Sequence, residues 1–268
     1  MSDPRSRERE EFRARTRKGR RVPVARAVPA DVLTPVMLFR RLRASGEETF
    51  LLESVEGGET LARYTFLGAG PVARWVLRDG VATVEGEGGA ARAAGLPIAS
   101  LERFARGGEL VPDPGLPQLS SGAVGFLAYD AVRLFEEIPD RHAPEGAVPD
   151  GLFLLFDSVI AFDHPRQTVL FLTTLDLGDG GDASAEADRA IARLDRLEAL
   201  AFAPDPPAKG RPAPAARPST AFAPAAPRER FLEAVDVVKE AIASGEVYQC
   251  VLSQRWTARL ALDPFDVY

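Results

Sequence analysis

The chain has 268 residues, 46% apolar and 27% charged, with a formal net charge of −6. Such a composition suits a globular protein with room for a sizeable core, no apolar run approaches the roughly 18 to 20 residues that span a bilayer, and the acidic balance argues against a nucleic-acid partner. A single cysteine, Cys250, excludes an internal disulfide, and with only two histidines, His142 and His164, it argues against structural zinc and fits a reducing, cytoplasmic setting.

In chain order, the first stretch, Arg5 to Arg26, is rich in arginine and interrupted by Glu8, Glu10 and Glu11. Interleaved acids favour a solvated extension over a nucleic-acid tail, and they fit a transit peptide poorly. Residues 1–28 are therefore expected to be a basic, flexible extension, with ordered structure beginning near Pro29. Thr34-Pro35 then caps a short helix, Val36 to Arg43, which Gly46 ends. Thr49 to Ser54 and Arg63 to Gly68 read as strands. Arg74 to Arg78 and Val81 to Val84 flank Asp79-Gly80, a dipeptide that favours a primed turn and so predicts a hairpin. Pro97 to Arg106 has the pattern of an amphipathic helix.

Ser121 to Asp130 reads as a strand passing into a helix, Ala131 to Glu137, and its glycines suggest close backbone approach or a bulge. Leu152 to Phe162 and Thr168 to Leu175 are long apolar arms around Asp163-His164-Pro165-Arg166, a second hairpin. Arms so continuously apolar are buried on both faces, so something must cover this sheet on each side. Ala185 to Leu200 is helical by period. Phe202 to Pro227 holds eight prolines and nine alanines and predicts an extended surface linker. Arg228 to Ser244 places Phe231, Val235, Val238 and Ile242 on one helix face, Gly245 closes it, and Glu246 to Trp256 reads as a long strand. Asp263-Pro264 starts another helix only a few residues before Tyr268. That ending predicts the front part of a longer protein. Hairpins outnumber crossover units, which is the pattern of an α+β fold with large antiparallel sheets.

None of the common catalytic signatures is present: no glycine-rich phosphate loop, no nucleophile elbow, no paired-histidine metal motif. Longer words in the chain carry more. Leu51-Leu52-Glu53-Ser54 is followed by Arg63-Tyr64-Thr65-Phe66-Leu67-Gly68, then by Gly122 to Asp130 and Asp157 to His164. The densest is Ala243 to Arg255. In this order the words resemble anthranilate synthase component I, of the chorismate-utilising enzyme family, over about Pro29 to Tyr268.

The resemblance implies that family's two-sheet sandwich of antiparallel β-sheets with flanking helices, incomplete at the C-terminus. It divides the chain into a regulatory α+β domain at 29–201, the linker at 202–227, and the start of the chorismate-binding catalytic domain at 228–268. It implies a lyase that converts chorismate and ammonia to anthranilate and pyruvate in tryptophan biosynthesis. A glutamine amidotransferase subunit, component II, would supply the ammonia. Mg²⁺ would be held by residues beyond Tyr268, so the chain alone is expected to be inactive and to bind no metal.

Three residues are implied for feedback inhibition by L-tryptophan: Glu53 and Ser54, which can meet the ligand's ammonium, and Arg63, where many relatives carry a basic residue. Gln249 is implied at the rim of the active pocket, where water-using isochorismate and salicylate synthases have a lysine proposed to deprotonate the attacking water. Ammonia needs no such base, so glutamine fits an ammonia-using enzyme. The bland reading of Gln249 is a polar strand residue paired with backbone, and that of Glu53 and Ser54 is the end of an edge strand. Strand alternation puts Tyr248, Cys250, Leu252 and Trp256 on the more apolar face, with Cys250 as inert packing. His164 and His142, in a turn and a polar loop, are expected to be solvated. The alternatives are the sister enzyme that makes aminodeoxychorismate for folate, a stand-alone tryptophan-binding module, and a basic-tailed nucleic-acid binder, which the acidic balance disfavours.

Overall fold

The computed structural model describes residues 3–53, 63–86, 88–106, 109–139, 148–178, 181–206, 222–258 and 263–268. The chain divides into two units, Met1–Pro207 and Ala208–Tyr268.

The first unit is organised around its two apolar arms. The second arm is one strand, β11 (Thr168–Asp176), but the first is two, β9 (Gly151–Phe156) and β10 (Ser158–Asp163), which lie in different sheets. This corrects the expectation of a single strand from Leu152 to Phe162. The chain changes sheet at Asp157, whose carbonyl accepts from Thr173 Oγ1 at 2.8 Å, so the break leaves that backbone group bonded.

One sheet has the order β2-β3-β10-β11-β1-β7, adding β2 (Thr49–Leu52), β3 (Tyr64–Ala69), β1 (Arg20–Pro29) and β7 (Glu109–Leu110). The other runs β6-β5-β4-β9-β8, with β4 (Ala73–Arg78), β5 (Val81–Gly86), β6 (Gly89–Arg92) and β8 (Gly122–Leu127). Ladders between these strands are antiparallel, apart from the short β1–β7 pair.

Every residue of β10 is buried, so it needs a layer on each face. Ile160 and Phe162 join Leu67 and Phe171 in a core closed by Phe12 of α1 (Pro4–Arg15), Leu38 and Leu42 of α2 (Pro35–Ala44), and Leu194 and Leu197 of α4 (Ala183–Ala201). On the opposite face Val159, Ala161 and Leu172 meet Phe156, Leu154 and Val124 of the second sheet. That sheet's outer face buries Trp75 and Leu77 against Leu101 and Phe104 of α3 (Pro97–Arg106), and Trp75 Nε1 donates to Ser100 Oγ at 2.9 Å. The order of layers is helices, sheet, sheet, helix, an α+β sandwich of antiparallel sheets.

Local signals behave as their chemistry dictates. Thr34 Oγ1 accepts from the Met37 amide, and Gly46 takes φ +79° after α2. Asp79 and Gly80, at φ 48° and 71°, make the primed turn between β4 and β5. A Cβ on Gly68 would lie 2.3 Å from the Phe50 ring, which crosses the glycine to meet Phe156 edge-on at 4.8 Å. The helix expected at Ala131 to Glu137 is instead one 3₁₀ segment, Tyr129–Leu134.

The N-terminal expectation is overturned. Residues 4–15 form α1, and β1 is an inner strand with Val22 and Val24 buried. The arginines serve as internal ties. Arg26 meets Glu8 of α1 at 2.7 Å and Asp195 and Glu198 of α4 at 2.8 and 2.6 Å, and Arg15 meets Asp113 at 2.9 Å. The bonds to Glu8 above all hold the Arg26 guanidinium's pKa above its ordinary value, against the opposing effect of burial.

Of the Pro/Ala-rich stretch, 207–221 lie outside the described residues. Phe202, the C-cap of α4, packs near Phe171, and Ala223–Pro224 (β12) pairs with Trp256–Thr257 (β13). The second unit also holds α5 (Arg228–Ala243), with no buried residue, and α6 (Pro264–Val267). The long strand expected from Glu246 to Trp256 is not formed; only β13 is strand there. No described helix is long and apolar enough to cross a membrane.

If α1 is integral, Phe12→Ala should lower unfolding free energy by about 3 kcal/mol in urea titrations, the usual loss for a buried phenylalanine. An unchanged transition midpoint would return residues 1–28 to the status of an extension.

Candidate functional site

The β2–β3 edge of the larger sheet carries two of the three residues implied for ligand control. Glu53 follows the last paired residue of β2, Leu52, and is exposed; Arg63 immediately precedes β3. Ser54 lies outside the described residues. Leu52 pairs with Phe66, so both share the face turned toward the second sheet, where Phe66 and Tyr64 are half-buried and Leu52 is 46% exposed. Tyr64 and Phe66 stand 5.8 Å apart, ring to ring. This edge therefore offers an apolar strip with a guanidinium at one end, and an exposed glutamate follows its strand β2.

That guanidinium is already engaged. Arg63 Nε and Nη2 donate to the two oxygens of Asp163 at 3.2 and 2.7 Å, a two-point bond to a carboxylate that is 1% exposed. The same guanidinium lies over the Tyr64 ring, 4.8 Å from its centroid. The bond to Asp163 keeps the arginine's pKa above its ordinary value, against the opposing effect of desolvation. Arg166 adds a looser contact to Asp163 at 3.9 Å.

His164 sits in the turn between β10 and β11, as expected, but is half-buried and belongs to the same cluster. Its backbone amide donates to the Arg63 carbonyl at 3.1 Å, its Nε2 lies 2.8 Å from Thr65 Oγ1, and its ring packs on Phe162 at 4.8 Å. His142 lies outside the described residues.

Asp163 and Thr65 are the functional candidates missed by sequence reasoning. The available signal was the aspartate closing an otherwise apolar strand: a buried carboxylate needs a cation. Sequence alone does not say which arginine answers it.

Gln249 and Cys250 are exposed in irregular chain between Gly245, at φ +80°, and β13. Cys250 is therefore not the packed residue that strand alternation predicted. Of this segment Leu252 and Gln254 are half-buried, and Gln254 Nε2 donates to the Ala226 carbonyl at 3.0 Å. Among the described residues, no group of three or more His, Cys, Asp or Glu side chains could hold a metal ion.

Residues 47–268 match the family model described as chorismate binding enzyme. Over 97% of its length the chain is 36% identical to anthranilate synthase component 1 of Mycobacterium tuberculosis, of which it covers 51%. It is 37% identical to the same component of Mycolicibacterium smegmatis, covering 97% of this chain and 50% of that one. The chain thus spans about half the length of the curated relatives it matches. A crystal structure of anthranilate synthase component I from Streptococcus pneumoniae superposes with a TM-score of 0.57 at 24% identity, over 89% of this chain and 50% of that one. That likeness confirms the fold.

If the two-point geometry holds Asp163, Arg63→Ala should lower Tm clearly more than Arg166→Ala, since the buried carboxylate then keeps only the distant Arg166 guanidinium as a cation beside the Arg166 backbone amide. Equal losses in thermal denaturation would show that neither guanidinium is privileged.

Proposed function

As the chain belongs to the chorismate-binding enzyme family, we propose that it serves as component I of an anthranilate synthase. In this reading ammonia adds to the chorismate ring as the 4-hydroxyl leaves as water, and elimination of pyruvate then aromatises the aminated intermediate to anthranilate. A glutamine amidotransferase, component II, delivers the ammonia in the cytoplasm, and the Mg²⁺ that the resemblance implies would supply charge neutralisation at the substrate carboxylate. The observation that carries the reading is similarity along 97% of the chain to proteins named anthranilate synthase component 1.

Gln249 is assigned to the pocket rim. A neutral amide there can orient a nucleophile by hydrogen bonding but cannot take a proton from water, whereas ammonia arrives with its lone pair available. The residue type therefore suits amination over hydration.

Glu53, Ser54 and Arg63 are assigned to feedback inhibition by L-tryptophan. The Glu53 carboxylate and Ser54 hydroxyl suit the ligand's ammonium, and the strip of Leu52, Tyr64 and Phe66 suits an indole. Support for this comes from the half-open apolar edge beside an exposed glutamate.

The direct test is anthranilate fluorescence from chorismate and ammonium, assayed on the gene product carrying these residues. Accumulation of aminodeoxychorismate without aromatisation would move the assignment to the folate branch. Ser54→Phe should weaken tryptophan inhibition by about tenfold or more, within the 1–3 kcal/mol usual for such coupling, while chorismate turnover persists. An unchanged inhibition constant removes the regulatory assignment. Gln249→Lys should let water compete and yield some isochorismate, detectable by product chromatography; aminated products alone would withdraw Gln249 from the rim.

A further inference from the structure

Phe12 is the one buried residue of α1, whereas α4, against which it lies, buries six. The side-chain ties of α1 are mainly charged. Arg9 makes a two-point bond to Asp188 at 2.6 and 2.7 Å, and Arg5 meets Asp195 at 3.2 Å. Arg15 reaches Asp113 and the Pro23 carbonyl at 2.9 and 2.8 Å. Glu8 joins Asp195 and Glu198 of α4 on Arg26. With five arginines and three glutamates, Pro4–Arg15 turns a surplus of positive charge toward these acids.

Release of the helix breaks no strand pairing. Among the described residues, the backbone bonds of α1 stay within Asp3–Thr16. β1 is held by its own ladder to β11 from Arg21 onward, with Val22 and Val24 buried. Between helix and strand, Gly19 takes φ +66° and donates its amide to the Leu177 carbonyl at 3.0 Å. The chain at 16–19 is thus a pivot anchored just beyond β11. We infer that α1 is a charge-fastened strap, which leaves α4 and returns as one piece while both sheets stay folded, with ionic strength setting the balance. Salt acts on the outer ties first: Arg9 and Asp188 are half exposed and Arg5 more so, while Glu8 and Arg26, each 19% exposed, are screened less. A free helix of twelve residues is marginal in water, so the released strap loses its backbone bonds.

The experiment is hydrogen exchange read by mass spectrometry on the gene product carrying this chain. It compares about 0.1 M with about 1 M sodium chloride, between which the Debye length falls from about 10 Å to about 3 Å. Peptides covering α1 should exchange faster than those of β10 and β11 at both concentrations. In the higher salt α1 should gain a further threefold or so, with β10 and β11 unmoved. Arg5→Gln and Arg9→Gln together should speed α1 exchange in low salt and shrink the salt response. Phe12→Leu should speed it and leave the salt response intact. Exchange of α1 at the pace of β10 in both salts means that it opens only with the whole protein, and overturns the strap. Local opening that ignores salt overturns charge as its fastening. A salt response shared by β10 and β11, or no protection of α1 at either concentration, overturns the inference as well.

Discussion

Burial of β10 on both faces is the constraint from which the first unit follows. A strand with no exposed residue cannot lie at a surface, so its sheet must be roofed twice. Alternation divides the work: Ile160 and Phe162 demand the helices, Val159 and Ala161 demand the second sheet. The same burial dictates what happens where the strand ends. Asp163 is still inside, so a cation must be brought to it, and the chain entering β3 supplies Arg63. The packing of the unit and the pairing of Asp163 with Arg63 are thus consequences of one strand.

Charge does related work at the other end of the unit. The ladder places Arg26 in register with Phe171, on the face that α1 and α4 cover, where an unpaired guanidinium would be costly. Glu8, Asp195 and Glu198 converge on it, so one arginine fastens two helices to the sheet. Only one residue of α1, Phe12, is buried. The helix is therefore attached by a single ring and a set of ion pairs.

What the sequence disclosed and what it hid divide along the range of the interactions. Signals that act within a few residues were legible: the Thr34 cap, the Asp79-Gly80 turn, the α3 boundaries. Continuous apolarity in the arms announced burial on both faces. Hidden were features fixed by partners far along the chain. The arginines and prolines of β1 look unlike a strand until acids from α1 and α4 and the β11 ladder are in place. The break at Asp157 was hidden because apolar runs, Leu152 to Phe156 and Val159 to Phe162, lie either side of Asp157-Ser158, and the donor to the Asp157 carbonyl, Thr173, lies far along the chain. Glu53, Ser54, Arg63 and Gln249 came from family resemblance, since no periodicity singles them out. The pairing of Arg63 with Asp163 needed the three-dimensional fold.

The placement of the two tryptophans gives the chain an optical consequence. Trp75 is sealed in the first unit with its indole N–H bonded to Ser100, while Trp256, in the second, is 57% exposed. Emission from the sealed indole belongs at shorter wavelength and resists aqueous quenchers; emission from the other lies to the red and is quenched readily. Each compact body thus carries its own chromophore. Melting of one can be distinguished from melting of the other by colour alone, without any attached dye.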